Sequence, residues 1–171
     1  MEKQDNAYFD GKLQKAVLKL ISEEWYAYQL YMFSRLAVKN EEAETVDKLF
    51  NDISDDEIND HMAELIKWCR TYDYEVPCGE TEFKKYAAKK ISKQLADLKK
   101  NKDAAYYIDE AIKSEHEAIA SYKAIIEYPE VSQFTDLQSL LWHIYYDEIE
   151  HLEKLNSAKI ACEADVDLFI A

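Results

Sequence analysis

The chain has 171 residues, 48% of them hydrophobic and 33% charged, with a formal net charge of −14. That length suits one domain, residues 1–171, with a sizeable core, while the acidity argues against direct nucleic-acid binding, which needs Lys and Arg against phosphate. No apolar run approaches membrane-spanning length, so no membrane contact is expected, and with only two glycines and two prolines the chain favours long helices over a many-stranded sheet.

Residues 1–9 read as a loose leader without the basic and apolar regions of a signal peptide, so a cytoplasmic location is the expectation. The three cysteines, Cys69, Cys78 and Cys162, form no Cys-x-x-Cys motif and read as thiols outside any disulfide. A first helix is predicted over about 10–39, ended by Asn40. Its stripe, Leu13, Val17, Leu20, Glu24, Ala27, Tyr31, Ser34 and Val38, steps by four and three and so occupies one helical face. One acid, Glu24, sits at its centre.

A second helix is predicted over about 42–72, with Val46, Phe50, Ile53, Glu57, His61, Leu65, Trp68 and Tyr72 on one face and one extra residue in the middle. The short connection makes the first two helices antiparallel neighbours. Residues 73–103 form a crossover: a turn around Pro77 and Gly79, then a short Lys-rich helix from Thr81 to about Lys99 with a solvated face. Asp103 is a candidate N-cap for a third helix over about 104–127, striped by Ile108, Ala111, Glu115, Ala118, Tyr122 and Ile125. Pro129 stops it. The fourth helix is predicted over about 132–161, and its stripe is Leu137, Leu141, Ile144, Glu148, His151, Leu155, Ala158 and Cys162. An acidic tail, 162–171, follows. The class is therefore all-α: a four-helix bundle with one long crossover carrying a short extra helix.

A buried carboxylate without a partner is strongly destabilising, yet every stripe is interrupted by polar groups near its middle. The first and third helices share a Glu-x-x-Ala-x-x-x-Tyr pattern, Glu24 to Tyr31 and Glu115 to Tyr122. The second and fourth place Glu57 before His61 and Glu148 before His151, and both Glu24–Glu57 and Glu115–Glu148 are 33 residues apart. A pseudo-two-fold bundle brings four carboxylates together with a His on either side. Such acids repel one another, and two divalent cations relieve the repulsion. A Glu from each of two helices plus a Glu-x-x-His from each of the others is the ligand set of di-iron and di-manganese bundles. Tyr31 and Tyr122 are placed to hydrogen-bond a ligating carboxylate or line the pocket. His116 and His143 fall off the stripes and read as solvated, and Glu23, Asp147, Glu150 and Glu153 read as outer-face charges.

With the runs Asp147-Glu148-Ile149-Glu150-His151 and Ser114-Glu115…Ala118-Ile119…Tyr122, the chain resembles the ferritin-like superfamily, close to bacterioferritins and Dps-like proteins whose site lies within one subunit. The resemblance implies that Glu24, Glu115, Glu148 and His151 are metal ligands. It implies two iron ions per subunit and oxidation of Fe(II) by O2 or H2O2. Glu24 and Glu115 would each hold a metal or bridge, Glu57 and Glu148 would bridge, and His61 and His151 would cap. Manganese or zinc fits the same donors. A ferric mineral stored in a homo-oligomeric shell is implied too, with twelve subunits favoured by the short crossover helix. Two other readings stand beside it: a rubrerythrin-like di-metal peroxidase or oxidase without storage, and a structural or cargo bundle with a degraded site.

The chain departs from the family pattern at Ile58. An acid there would give Glu-x-x-His, whereas Glu57 lies four residues before His61. Either a π-bulge absorbs the extra residue, or this half-site has decayed, with Asp60 and Glu64 as substitute ligands. In the thiol-bearing Dps-like subgroup a Cys lies two residues after the third-helix Glu. Glu117 stands there, so a dithiol function is not expected.

Overall fold

The computed structural model describes residues 11–38, 43–76, 92, 96 and 103–170. Every regular element among them is helical. α1 (Gly11–Ala37) is the first rod. The second is α2 (Ala43–Asp56), a π-helical stretch Glu57–Met62 and α3 (Ala63–Thr71), without interruption. α4 (Ala104–Ile126) is the third, and α5 (Thr135–Ile170), entered through a 3-10 turn at Val131–Gln133, is the fourth. The leader, Asn40, Cys78 and most of the crossover with its expected Lys-rich helix lie outside the described residues. Ser92 and Ala96 are helical and exposed.

The stripes explain the bundle. All eight residues of the α1 stripe are buried, from Leu13 to Val38. Ser34 is tolerated there because its hydroxyl donates to its own helix, at Leu30 O, 2.7 Å away. In the second rod Ile53, Glu57, His61 and Leu65 all point inward although they are spaced four apart three times running. In an unbroken α-helix those twelve residues would carry Leu65 about 120° round from Ile53. The π turn absorbs the excess and returns Leu65 and Trp68 to the core face. The expected bulge is thus present.

Helix ends are chemically marked. Asp103 is extended (ψ 174°) and its carboxylate accepts from Tyr106 N at 3.0 Å, capping α4. α3 closes with Tyr74 N donating to Cys69 O (2.8 Å) and Asp73 N to Arg70 O (3.3 Å). Asp73 takes the left-handed conformation, φ 56°, that this closure requires. The fourth helix differs from expectation. It starts three residues later than predicted and runs to Ile170, so the tail beyond Ala161 continues the helix. No glycine or proline follows Pro129, and nothing in the backbone chemistry stops it.

Rods one and three are antiparallel: Lys12 Nζ lies 4.3 Å over the ring of Tyr128, and Lys19 Nζ donates to Ser121 at 3.1 Å. Rods two and four are antiparallel as well, tied at one end by Tyr72 OH donating to Asp136 (3.0 Å). Trp68, Tyr72, Tyr74 and Phe134 pack ring on ring around that tie. The apolar core falls into two clusters. One holds Leu13, Leu20, Leu65, Trp68, Leu137 and Leu141, and the other Tyr31, Phe50, Ile53, Tyr107, Ile108 and Leu155. Each such side chain contributes about 1.5–3 kcal/mol by burial. Between the clusters lies a layer of polar residues.

Candidate metal centre

That layer is made of Glu24 from α1, Glu57 and His61 from the π turn, Glu115 from α4, and Glu148 and His151 from α5. None is more than 1% exposed. Donor atoms of Glu24, Glu57, His61 and Glu148 lie within 4.8 Å of one another, and so do those of Glu57, Glu115, Glu148 and His151. The two groups share Glu57 and Glu148. All six residues singled out in the sequence therefore converge, and the departure at Ile58 leaves both Glu57 and His61 facing inward.

The imidazoles present the same nitrogen. His61 Nδ1 lies 3.4 Å from Glu24, 3.4 Å from Glu57 and 3.3 Å from Glu148. His151 Nδ1 lies 3.6 Å from Glu57 and 3.5 Å from Glu148. The two rings are 5.6 Å apart. Behind each ring stands an aspartate from the opposite rod. His151 Nε2 is hydrogen-bonded to Asp56 Oδ2 at 3.2 Å, and His61 Nε2 faces Asp147 Oδ2 at 3.5 Å. Asp147 is thus no mere outer-face charge, which corrects the sequence expectation. A partner on the outer nitrogen fixes the tautomer and orientation of a ligating imidazole. Sequence reasoning missed both aspartates, although each directly precedes a buried glutamate, as Asp56-Glu57 and Asp147-Glu148.

The tyrosines are exchanged in the same way. Tyr31 of α1 donates to Glu115 of α4, and Tyr122 of α4 donates to Glu24 of α1. Burial first, and then those carboxylates, push both phenols well above their ordinary range, so both remain donors. Glu24 and Glu115, Tyr31 and Tyr122, Asp56 and Asp147, and Glu57 and Glu148 are all 91 residues apart, whereas the two histidines are 90 apart. The π turn accounts for the difference.

Electrostatics divides the four acids. Burial, then Glu57 and Glu148, raises Glu24 well above the usual carboxylate range, and burial with Glu148 does the same to Glu115. Burial opposes ionisation of Glu57 and Glu148 too. There Glu24 or Glu115 and the two imidazoles outweigh it and hold both acids low. Burial would strip His61 of its proton, but Asp147, Glu148, Glu24 and Glu57 raise it well above normal. His151 is likewise raised to about 10 by Glu148 and Glu57 against its burial. Protons are thus favoured on Glu24, Glu115 and the two imidazoles, and disfavoured on the shared acids Glu57 and Glu148.

Several polar atoms nonetheless lack a hydrogen-bond partner: Glu24 Oε2, both oxygens of Glu57 and of Glu148, and Nδ1 of both histidines. Each such buried group costs about 1–3 kcal/mol, and more when charged. All converge on two points. Two divalent cations in place of protons would partner them and offset the clustered carboxylates. The donor set fits metal.

Other candidates fall outside the layer. Asp60 and Glu64 are exposed, Glu64 being paired with Lys67 at 2.9 Å, so neither substitutes for a ligand. His116, His143, Glu150 and Glu153 are exposed, as expected. Cys69 is buried among aromatic and aliphatic side chains, and burial pushes its thiol up to about 11. Among the described residues no cysteine joins either group of donors. A small gap of about 10 Å³ between α1 and α4, bordered by Glu23, Ala27, Glu117 and Ala118, opens onto Glu24 and Glu115.

Comparison with known proteins agrees with this geometry. A family model described as Ferritin-like domain matches residues 14–159. A solved structure of a ferritin-like, diiron-carboxylate protein from Bacillus anthracis (strain Ames) superposes with a TM-score of 0.68 at 17% identity, over 92% of this chain and 99% of that one. The bacterioferritin-related protein of Bacteroides fragilis, described as a dodecameric thioferritin, gives 0.73 at 20% identity, over 94% and 92%. The M. penetrans ferritin gives 0.66 at 17%, over 91% and 87%. At such identities the likeness to these structures is one of fold. No curated protein matches the sequence.

Proposed function

The chain belongs to the ferritin-like domain family, and from that premise we propose that it is a cytoplasmic ferroxidase, oxidising Fe(II) at the buried layer with O2 or H2O2. The observation that carries the reading is the pair of overlapping donor groups that share Glu57 and Glu148. Each group has three carboxylates and one imidazole, a set that suits two ions bridged by the shared acids. Glu24 with His61 and Glu115 with His151 complete the separate ends. Asp56 and Asp147 keep Nδ1 of each ring turned inward, and Tyr122 and Tyr31 hold one oxygen of Glu24 and Glu115. The aliphatic clusters above and below exclude water.

The reaction balances on two Fe(II) ions as substrate. Each gives one electron. Together they reduce O2 to peroxide, or peroxide to two waters, with two protons taken up in either case. Surface acidity attracts the cation to the protein. Storage of the ferric product in a homo-oligomeric shell is part of the proposal, and the dodecamer described for the Bacteroides fragilis protein supports twelve subunits. Glu117 in the position of the subgroup's cysteine supports a carboxylate site here without a dithiol. Manganese and zinc bind the same donor types, so anaerobic competition among the three metals decides the preferred one.

The test is anaerobic Fe(II) binding followed by oxygen or peroxide. We expect two tightly bound ions per chain and saturable oxidation. A folded protein that takes up no Fe(II) would sink the reading. Two ions bound with oxidation but no assembly beyond a dimer would leave the ferroxidase and remove the storage shell.

A further inference from the structure

The two halves of the layer differ in what stands behind them at the surface. On the His151 side the aspartate is the half-buried Asp56, and the residue one turn before it is the exposed Asp52. On the His61 side the aspartate is Asp147, and one turn before it is His143. Positions 52 and 143 are separated by the same 91 residues as the paired acids, so an acid and an imidazole occupy equivalent places. His143 Nδ1 lies 3.4 Å from Asp147 Oδ2, and that same oxygen lies 3.5 Å from His61 Nε2. The side chains of His143, Asp147 and His61 are 68%, 32% and 1% exposed in that order. A line of three metal-type donor residues therefore runs from solvent into the buried layer, on one side of the molecule.

We propose that His143 and Asp147 form an accessory divalent-cation site that hands Fe(II) to the His61 half of the centre. The proposal rests on the ferroxidase reading above. Residues four apart on a regular α-helix share a face, and 3.4 Å is near the separation of neighbouring ligand atoms that each lie about 2.1 Å from a first-row ion. Imidazole with carboxylate is a donor pair that Fe(II), Co(II) and Zn(II) accept. Only two protein donors are present, so water fills the other positions and the ion exchanges readily. That is the behaviour of a transfer point. Asp147 can serve both neighbours, because a carboxylate has two oxygens and about four lone-pair directions. The opposite half has no imidazole at the equivalent place, and its surface aspartates offer harder oxygen donors alone. Delivery is thus predicted to be one-sided, with the His61 half filling first.

Equilibrium binding of Co(II), followed by its visible absorption and by direct metal counting, tests the site without any catalytic readout. Wild-type protein should take up the tight core pair and one weaker ion. His143→Ala, an exposed change, should remove the weaker ion alone. Glu148→Gln should remove the core pair and keep the weaker ion. In stopped-flow oxidation at low Fe(II), His143→Ala should slow the initial rate several-fold and leave the saturated rate unaltered. If wild-type protein shows no ion beyond the core pair, or if His143→Ala retains it, the accessory site is wrong. If the weaker ion is present and the core pair is not, the ferroxidase reading fails instead.

Discussion

Glu148 and His151 stand three residues apart on an ordinary α-helix, whereas Glu57 and His61 stand four apart in a π turn. Both pairs end in the same layer, equally buried, and each imidazole faces Glu57 and Glu148. The comparison shows that a ligand set is defined by where side chains arrive, and that a spacing motif is only one way to bring them there. A helix with 3.6 residues per turn can place Glu-x-x-His on one face directly. Adding a residue demands a local change of winding, and the second rod makes that change at the one place where two donors must face inward.

The largest effects should come from the shared acids. Glu57→Ala and Glu148→Ala should each lower Fe(II) oxidation by more than the roughly tenfold to hundredfold typical of outer-shell changes, and by similar factors. Single-turnover oxidation measures this. If only Glu148→Ala were damaging, the second-rod half would be idle and the symmetry broken.

Loading should also be coupled to protons. Glu24, Glu115, His61 and His151 all have raised proton affinities in the metal-free protein. Metal displaces those protons, and affinity should therefore fall as pH falls. Titration in weakly buffered solution should register protons released as the ions bind. Binding with no proton release and no pH dependence would contradict the raised proton affinities.

Asp56→Asn and Asp147→Asn separate the halves. Each should weaken one ion by about tenfold to a hundredfold. Asp56→Asn should act on the His151 end, and more strongly, since its contact is the shorter, 3.2 Å against 3.5 Å. Competition with a chromophoric chelator resolves the two affinities. Equal weakening of both ions by either change would mean that the aspartates act only through the general field.

The smallest effect should come from deleting Ile58. The deletion turns Glu57–His61 into the spacing of the other pair and lets the second rod run as plain α-helix. Metal stoichiometry should persist, with no fall in melting temperature. Deleting Asp52 instead should disrupt folding, because no π turn there absorbs the register change. Circular dichroism and metal counting compare the two.

Much of this is legible in the sequence. Four-three stripes revealed the helices, and the lone polar insertions, Glu24, Glu57–His61, Glu115 and Glu148–His151, revealed the layer. Burial was implied because a carboxylate sits on a core face only when something compensates for it. The exchange between rods was not legible. Periodicity says which face Asp56 and Asp147 occupy, but not which ring lies across the interface, so Asp147 reads as a surface charge and Asp56 draws no reading at all. The end of α5 was misjudged for a related reason. Acids in the segment after Ala161 suggest a solvated tail, yet helix termination depends on backbone breakers, and the segment has none.

The polar layer divides an otherwise continuous hydrophobic interior, and its unpartnered atoms make the metal-free fold the less stable one. A ligand that binds only the folded chain at a hundred times its dissociation constant adds about 2.7 kcal/mol. Iron would then be a structural clamp as well as a substrate. In a starved cell the chain would open more often and be cleared sooner by proteases, while in a replete cell it would persist. The lifetime of the protein would thereby report the supply of the metal it handles, with no sensor beyond its own core. Proteolysis rates with and without bound metal test this directly, and equal rates would disprove it.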